Sequence, residues 1–477
     1  MPCLAVDEPA PVKKVVVKIA ATGERRAPVS EGGPGKHKAD RLGDGLGDTN
    51  GLSWSCNWPR ILGAQDPVIG DKERGILREL AQRVAELAAQ PQQAEKGRLW
   101  LKLNALDETR PLIFADPENA WYELIPAAAL TCEGNLARLW EFRLRKEIYW
   151  TEQIRDDRVV EAVFPVYRIY EESERGLEPR VINVDDDGAY RWDAPLTDYR
   201  DLDTLRPRRV VVDIEKTQRL CDLAQDVLGD ILQVRLDGVW WWSLGMTYDL
   251  ILLRGFQQVL YDMYDNPGGL HRLMAFLMDE NLAKLDFLET NGLLSLNNGG
   301  DFIGTGGYGW SAELPAPDFD GNRVRARDLW GYCESQETVG VSPKLFEEFV
   351  FAYQLPILER FGLNIYGCCE PLDTRLEIIK RIPRLRKVTV SPWSNVEAMA
   401  ERLGSDYVYT RKVNPADIAQ PTIDEEQIRE GLRSTLRATS RNRCRVEILM
   451  RDVLTLSRNP ENIIRWTRIA REEAERA

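Results

Sequence analysis

Short apolar segments alternate with long amphipathic helical patterns along most of the chain, and this alternation is the feature that most constrains the fold. Repeated strand–helix units predict parallel strands, because a parallel pair needs a long crossover connection. About eight such units over roughly 400 residues fit a closed barrel better than an open sheet. The sequence therefore predicts an α/β protein organised as a (β/α)8 TIM barrel.

Hydrophobic periodicity and turn residues define the individual segments. The predicted strands are Leu99–Leu103, Leu112–Ala115, Val210–Ile214, Val239–Ser243, Leu293–Asn297, Asn364–Cys368, Val388–Ser391, Tyr407–Thr410 and Val446–Met450. The predicted helices are Asp71–Ala89, Thr217–Leu228, Leu250–Tyr264, Gly269–Asn291, Pro343–Phe361, Arg375–Ile382, Val396–Leu403 and Glu425–Ser440.

The first 70 residues differ from the rest of the chain. The segments Gly32–Gly35 and Gly43–Asp48 are rich in glycine and offer little apolar surface to bury. We therefore expect an N-terminal extension over 1–70, with one strand at Lys14–Ile19, followed by the barrel over 71–477.

A second irregularity interrupts the strand–helix alternation at about 120–208. The segments Val159–Ile169 and Arg180–Val184 alternate in polarity, and an acidic turn, Asp185–Gly188, follows them. This pattern predicts an antiparallel insertion in the barrel.

Charge and targeting signals limit the partners. The chain carries 63 Lys and Arg against 76 Asp and Glu, a net charge of −13, which argues against broad binding of nucleic acid or anionic membranes. Asp7 and Glu8 precede the first lysines and no long apolar stretch follows, so a signal peptide and a membrane span are not expected. We expect a cytoplasmic protein of unknown oligomeric state that binds a small-molecule substrate.

The inventory of reactive side chains is narrow. Eight cysteines are too few for a disulfide framework, and the only two histidines are His37 and His271. A histidine-based triad or a multi-histidine metal cage cannot be built from one chain. Carboxylates, cysteines and tyrosines must supply most of the chemistry.

Active-site residues of a TIM barrel lie where its strands end, at the C-terminal face. The polar residues at the predicted strand ends are Asn297, Asn298, Asp301, Cys368, Cys369, Glu370, Ser391, Trp393, Arg411, Lys412, Arg451 and Asp452. The glycine-rich loop Gly299–Gly309 lacks the Gly-Lys-Ser/Thr ending of a phosphate-binding loop. A mobile lid, or a close approach of backbone to a ligand, is the expected role of this loop.

Three segments resemble the uroporphyrinogen decarboxylase superfamily. Gly238–Leu277 is similar to a strand, a helix and an Asp-x-x-Asp-x-Pro turn of that family. Val341–Leu372 (VSPKLFEEFVFAYQLPILERFGLNIYGCCEPL) resembles its Ser-Pro-x-x-Phe-x-x-Phe helix and the next strand, and Val390–Ile418 resembles its later strands. The segments keep family order over about 240–470, roughly half the chain.

The superfamily implies a (β/α)8 barrel and two chemistries. One is cofactor-free decarboxylation of porphyrinogen acetates, and the other is zinc-assisted methyl transfer to a corrinoid protein. The Met-Arg-Gln-Ala-Gly-Arg run of the decarboxylases is absent from the corresponding segment Arg110–Glu118 (RPLIFADPE). The resemblance therefore favours the methyltransferase branch.

That branch usually carries His-x-Cys after a central strand and a second Cys after the last strand. This chain has Tyr366-Gly367-Cys368, and its last strand ends in Met450-Arg451-Asp452. Zinc takes cysteine and carboxylate ligands, so we expect a zinc site to which Cys368, Cys369 and Glu370 supply part of the ligands. Glu334, Glu337 or Asp452 would complete it from neighbouring strands. The alternative is that Cys368 faces the core and Cys369 lines the mouth without a metal.

Carboxylates and aromatic residues are the remaining candidates for acid–base catalysis and for substrate binding. Asp452, Glu447 and Glu337 are candidate acid–base groups, although Glu447 could instead form a buried ion pair with Arg443 or Arg445. Trp240-Trp241-Trp242 is explained either by core packing or by a wall of an aromatic substrate pocket. The candidate substrate-binding residues are Asn297, Asn298, Asp301, Trp242, Tyr308, Trp393 and Arg411.

The favoured interpretation is a methyltransferase that moves a methyl group from a small methylated compound, such as an aryl methyl ether, to a corrinoid carried by a partner protein. A second hypothesis is a cofactor-free lyase, in which Arg411, Lys412 and Arg451 hold the carboxylate of a small acid. A third is a degenerate barrel that only binds a ligand or partner.

Overall fold

Eight parallel strands form the centre of the protein in a computed structural model that describes residues 67–184 and 190–477. Six of them make one parallel sheet, in the order β1-β12-β11-β10-β9-β8. Their bounds are β1 Leu112–Ala115, β8 Trp330–Cys333, β9 Leu363–Tyr366, β10 Leu385–Val390, β11 Val408–Lys412 and β12 Arg445–Met450. The other two, β2 Val163–Tyr167 and β7 Gln233–Asp237, pair with each other. This arrangement is consistent with the predicted barrel-like α/β fold.

Four short strands form two antiparallel pairs within the predicted insertion or at its end. They are β3 Tyr170–Glu172 with β6 Val210–Val212, and β4 Arg180–Val184 with β5 Tyr190–Asp193. Antiparallel pairs therefore occur in this region, alongside the parallel strand β2. The predicted turn Asp185–Gly188, the predicted strand Lys14–Ile19 and most of the predicted extension lie outside the described residues.

Helices fill the connections between strands. They are α1 Asp71–Ala88, α2 Pro91–Asn104, α3 Trp121–Leu124, α4 Asn135–Tyr149, α5 Ile214–Leu228, α6 Thr247–Arg254, α7 Phe256–Asp265, α8 Pro267–Thr290, α9 Pro343–Phe346, α10 Ala352–Leu358, α11 Leu376–Ile379, α12 Val396–Leu403, α13 Glu425–Arg441 and α14 Glu461–Ala474. No described helix is both long and apolar enough to cross a bilayer.

Local sequence explains several helix boundaries. The side chain of Asn266 accepts a hydrogen bond from the Gly269 N–H, and Pro267 occupies the first position of α8. Asp424 caps α13 in the same way through the Gln427 N–H. The predicted helix Leu250–Tyr264 is two helices, because Gly255 with φ +86° ends α6 and begins α7.

Both edges of the six-stranded sheet are covered by hydrogen bonds. At β1, the carboxylates of Asp156 and Asp157 accept hydrogen bonds from the Ala115 and Ile113 N–H groups at 2.7 and 2.8 Å. At β8, the amide side chain of Asn297 bonds both the N–H and the C=O of Trp330. These contacts satisfy strand edges that would otherwise present unpaired backbone groups.

The glycine-rich loop lies inside the strand layer. Residues 303–309 are all buried, and Lys387 Nζ donates to the Tyr308 C=O at 2.9 Å. A Cβ on Gly307 would lie 2.3 Å from Glu447 Oε1. The expectation of a mobile lid was wrong, because the loop is held in the core by β10 and β12.

Four predictions of secondary structure were wrong. Leu99–Leu103 belongs to helix α2, and neither Val239–Ser243 nor Leu293–Asn297 is a strand. The alternating segment Val159–Ile169 contains β2, which pairs in parallel rather than antiparallel fashion. A short apolar run cannot by itself distinguish a strand from a buried helix or loop.

Candidate active site

Four side chains meet where β9, β11 and β12 end, and we call them the thiol centre: Cys368, Cys369, Lys412 and Asp452. Parallel neighbours bring their C-terminal ends to one edge, which explains why residues so distant in sequence converge. Gly367 has φ +102°, and a Cβ there would lie 2.6 Å from Leu372 Cδ1. Glycine at this turn lets the two cysteines leave the strand toward Lys412.

Short contacts connect all four members of the thiol centre. The two sulfur atoms are 3.5 Å apart, and Cys369 Sγ lies 3.4 Å from Asp452 Oδ2. Lys412 Nζ donates to Asp452 Oδ2 at 2.8 Å, and lies 3.3 Å from Cys368 Sγ and 3.8 Å from Cys369 Sγ. The ammonium group therefore lies against all three other members.

Hydrogen bonds and neighbouring charges shift the pKa values of both cysteines and of Asp452. The hydrogen bond from Cys369 and the charge of Lys412 lower the pKa of the Cys368 thiol despite its burial, whereas donating that bond raises the pKa of Cys369. Burial raises the pKa of Asp452, but Lys412 more than offsets it, so the net shift is downward. Of the two thiols, Cys368 therefore loses its proton more readily, because an adjacent cation and a thiol donor stabilise its ionised form.

Two further side chains connect the thiol centre to the buried residues around it. Thr305, in the glycine-rich loop, donates to Cys368 Sγ at 3.0 Å, and its hydroxyl is 2.7 Å from that of Tyr332. The buried carboxylate of Glu370 accepts hydrogen bonds from the Cys368 and Ser335 N–H groups at 2.9 and 2.8 Å. Glu370 therefore holds the turn that carries the cysteines.

The thiol centre has the donor types of a zinc site but also contains a competing cation. Cys368, Cys369 and Asp452 form a group of three whose ligand atoms all lie within 4.8 Å of one another. Thiolate and carboxylate suit zinc. The Lys412 ammonium, however, lies against all three donors. The residues do not fit a zinc ion while this charged lysine is in place.

A cavity of about 330 Å³ is within the usual size range of small-molecule sites. Its lining includes Arg451, the neighbour of Asp452, but none of the four residues of the thiol centre. Four predicted substrate-binding residues, Asn297, Asp301, Trp242 and Tyr308, line it. Tyr332 lines it too, and two hydrogen bonds in sequence, Tyr332 to Thr305 and Thr305 to Cys368, connect this wall to the thiol centre.

A buried charge network forms one wall of the cavity. The Arg235 guanidinium contacts Asp237 at 2.9 Å and Asp301 at 3.5 Å, and Glu161 lies nearby in the same wall. Burial and the nearby Asp301 charge raise the pKa of Asp237 to about 6, although Arg235 opposes the shift. Burial also raises the pKa of Asp301 and of Glu161. Three carboxylates thus share one guanidinium.

The candidate carboxylates Glu334 and Glu337 lie in a neighbouring hydrogen-bonded group. Glu334 is buried and accepts from the Gln336 N–H at 2.9 Å and the Ser243 hydroxyl at 3.2 Å. Glu337 accepts from the Thr247 hydroxyl at 2.6 Å. Burial and the charge of Glu337 raise the pKa of Glu334 well above its usual range. Among the described residues, neither belongs to the three-ligand group at the thiol centre.

Glu447 forms a buried ion pair within the six-stranded sheet. Its carboxylate accepts from Lys387 Nζ at 3.0 Å and from the Thr410 hydroxyl at 2.6 Å, and both charged side chains are fully buried. The ion-pair alternative is therefore the one that the contacts support, but the partner is Lys387 rather than Arg443 or Arg445.

The three cations of the lyase hypothesis do not form one anion-binding site. An Arg411 Nη1–H donates to the Ser391 C=O, Lys412 belongs to the thiol centre, and Arg451 pairs with Glu118. Asn298, predicted to bind substrate, instead donates to the Leu314 C=O at 2.5 Å. Trp393, also predicted to bind substrate, is 70% exposed on the loop after β10.

Sequence reasoning missed Asp237, Arg235, Glu161, Thr305 and Tyr332. Asp237 is the last residue of β7, so the strand-end rule would have found it. The strand is predicted at Val239–Ser243 instead, so Asp237 is not at the end of a predicted strand. Thr305 could not be found this way, because it lies in a loop that enters the barrel interior.

Comparisons with known proteins give little further guidance. No protein-family model and no curated protein matches the chain. A solved structure of a methyltransferase from Methanosarcina mazei is similar at 8% sequence identity, with a TM-score of 0.44, over 79% of this chain and 98% of that one. A likeness this distant carries no argument about activity, so the family resemblance stays a prediction.

Proposed function

We propose that the protein is a methyltransferase that removes a methyl group from a small methylated substrate, of the aryl methyl ether type, at the thiol centre. The observation that carries this proposal is the convergence of two thiols, a carboxylate and an ammonium group at the strand ends, connected through Thr305 and Tyr332 to an aromatic-walled cavity. Such a centre offers a preorganised charge for a leaving group.

The cavity supports a substrate with an aromatic body. Trp241, Trp242 and Tyr332 line it, and the Trp242 and Tyr332 rings meet edge to face at 6.1 Å. Aromatic walls of this kind contribute apolar surface and ring contacts to a bound ring. Asn297 and Asp301 supply polar groups in the same lining.

The proposed step breaks the bond between the methyl carbon and the substrate oxygen. The electron pair stays on the oxygen, and the Lys412 ammonium stabilises the developing negative charge by a hydrogen bond. Cys368 and Asp452 hold Lys412 in place by direct contacts. A proton delivered from solvent through the partly exposed mouth completes the phenol product.

The acceptor of the methyl group is proposed to be a corrinoid carried by a partner protein, which supplies the nucleophile when it docks. Exposed apolar residues on three loops after strand ends support a docking surface: Val339 is 50%, Trp393 70% and Leu454 75% exposed. Such residues at a barrel mouth favour contact with a partner.

The lyase is less well supported, because Arg411, Lys412 and Arg451 bond separate groups and do not form one anion-binding site. The binding-only alternative is an outcome of the experiment below.

The test measures methyl transfer from an aryl methyl ether to free cobalamin reduced to the Co(I) state. We expect wild type to form methylcobalamin, and Lys412→Leu to be slower by about 10²-fold, the usual cost of losing one charge-stabilising donor. Cys368→Ser removes the sulfur that anchors Lys412 and is expected to lose roughly 10-fold or more.

Cys444→Ser is the matched control, because Cys444 is also partly buried but lies in the connection before β12, outside the thiol centre. It is expected to keep the wild-type rate. Turnover that survives in both Lys412→Leu and Cys368→Ser would refute the proposed centre. Substrate binding without any methyl transfer by wild type would favour the binding-only barrel.

A further inference from the structure

The thiol centre contains its own cation. Lys412 Nζ is 2.8 Å from Asp452 Oδ2, 3.3 Å from Cys368 Sγ and 3.8 Å from Cys369 Sγ, which are the three atoms that would ligate a metal. The Lys412 side chain is 3% exposed, so the surrounding protein restricts its movement out into solvent.

A metal ion bonded to these three donors would collide with this ammonium. Zinc lies about 2.3 Å from a thiolate sulfur and roughly 2.0–2.2 Å from a carboxylate oxygen. Because Nζ already lies against all three donors, an ion placed among them would come within bonding distance of a nitrogen that carries protons and positive charge. Both the steric overlap and the charge repulsion oppose this arrangement.

The charges of the centre are also balanced without a metal. Asp452 is close enough for a direct ion pair with Lys412, and the same ammonium faces the Cys368 sulfur. Thr305 donates to that sulfur at 3.0 Å, which satisfies it further. A divalent ion would add charge to a site in which the buried anions already have a partner.

We infer that Lys412 is the resident cation of the thiol centre and keeps divalent metals out, so that an uncharged side chain at this position opens a zinc site formed by Cys368, Cys369 and Asp452. The lysine takes the place of the metal that the family resemblance implied. This inference does not rest on methyl transfer, because its test counts bound metal.

The experiment equilibrates full-length wild type, Lys412→Leu and Lys412→Arg with zinc, removes loosely held metal, and measures the metal per chain by mass spectrometry. Leucine keeps much of the apolar stem and removes the nitrogen, whereas arginine keeps the charge. We expect stoichiometric zinc in Lys412→Leu alone, and its loss in the double variant Lys412→Leu/Cys368→Ser. The matched control is Lys380→Met, at a lysine that directly follows α11. This variant is expected to hold no zinc.

Two results would overturn the inference. Stoichiometric zinc in wild type that is lost in Lys412→Leu would show that the lysine is a ligand, and zinc retained in both would show that it is irrelevant. A folded Lys412→Leu variant without zinc would likewise refute it. If that variant does not fold, the wild-type and Lys412→Arg measurements decide: zinc in either one contradicts the inference, and its absence from both agrees with it.

Discussion

The carboxylate with the most informative pKa is Asp237, in the cavity wall. Its pKa of about 6 in the folded state lies above the unfolded value of roughly 3.9. The folded protein therefore binds the proton more tightly, and this contribution to stability is present at acidic pH and is lost as the pH rises toward and through 6. At neutral pH the buried, charged Asp237 costs stability relative to a neutral side chain, by about 3 kcal/mol at most.

Asp237→Asn is expected to change the pH dependence of stability accordingly. The free energy of unfolding of the variant minus that of wild type should rise between pH 4 and pH 7, because asparagine does not ionise. Denaturant unfolding at several pH values measures this difference. Glu401→Gln, at an exposed carboxylate in α12, is the matched control for replacing a carboxylate by an amide. A flat profile for Asp237→Asn would contradict the assigned pKa.

Among the elements, the glycine-rich loop Gly299–Gly309 is the one whose buried residues pack inside the strand layer. Gly307 has φ +136°, and an added Cβ would lie 2.3 Å from Glu447 Oε1 and 2.8 Å from Lys387 Nζ. Gly307→Ala should therefore destabilise the protein by about 1–3 kcal/mol through backbone strain, and by a similar amount through overpacking. Denaturant unfolding of this variant checks the prediction.

Gly431→Ala is the control for this prediction. Gly431 lies within α13 with nothing within 4 Å of the position of a Cβ. It should stabilise the helix by roughly 0.5–1 kcal/mol. Equal effects of the two substitutions would argue against the loop being locked in the interior.

The buried ion pair between Lys387 and Glu447 supports this loop. Lys387→Met alone leaves Glu447 buried without its cation, and should cost about 3–5 kcal/mol in the free energy of unfolding. The double variant Lys387→Met/Glu447→Leu should recover much of this loss, because no charge stays buried. A double variant no more stable than Lys387→Met would mean that the lysine contributes mainly through its bond to the Tyr308 C=O.

Sequence patterns predicted the elements of the second half far better than the interior they enclose. Leu112–Ala115 and Val396–Leu403 begin and end where predicted, because periodicity and flanking turn residues define them locally. The pairing of Glu447 with Lys387 joins two strands and has no local signal. The thiol centre was found in part, since the strand-end rule selected Cys368, Cys369, Lys412 and Asp452, but only the geometry places the lysine among the donors of the predicted metal.

For the whole molecule, the sequence predicts that residues 1–66 add little to the core, because Gly32–Gly35 and Gly43–Asp48 offer little apolar surface. Ile69 and Leu77 are already part of the continuous apolar core. A chain that starts at residue 67 is therefore expected to unfold in one cooperative transition, with a melting temperature within a few degrees of the full-length value. Calorimetry of both chains tests this. A broad or lost transition in the shorter chain would show that residues 1–66 are needed for folding.

We expect a lysine-centred thiol site, without a metal, to carry out methyl transfer. The most direct measurement is the rate of methylcobalamin formation by wild-type protein before and after metal is removed with a chelator, and again after zinc is added. The account predicts the same rate in all three samples. A rate that falls on chelation and returns with zinc would contradict it.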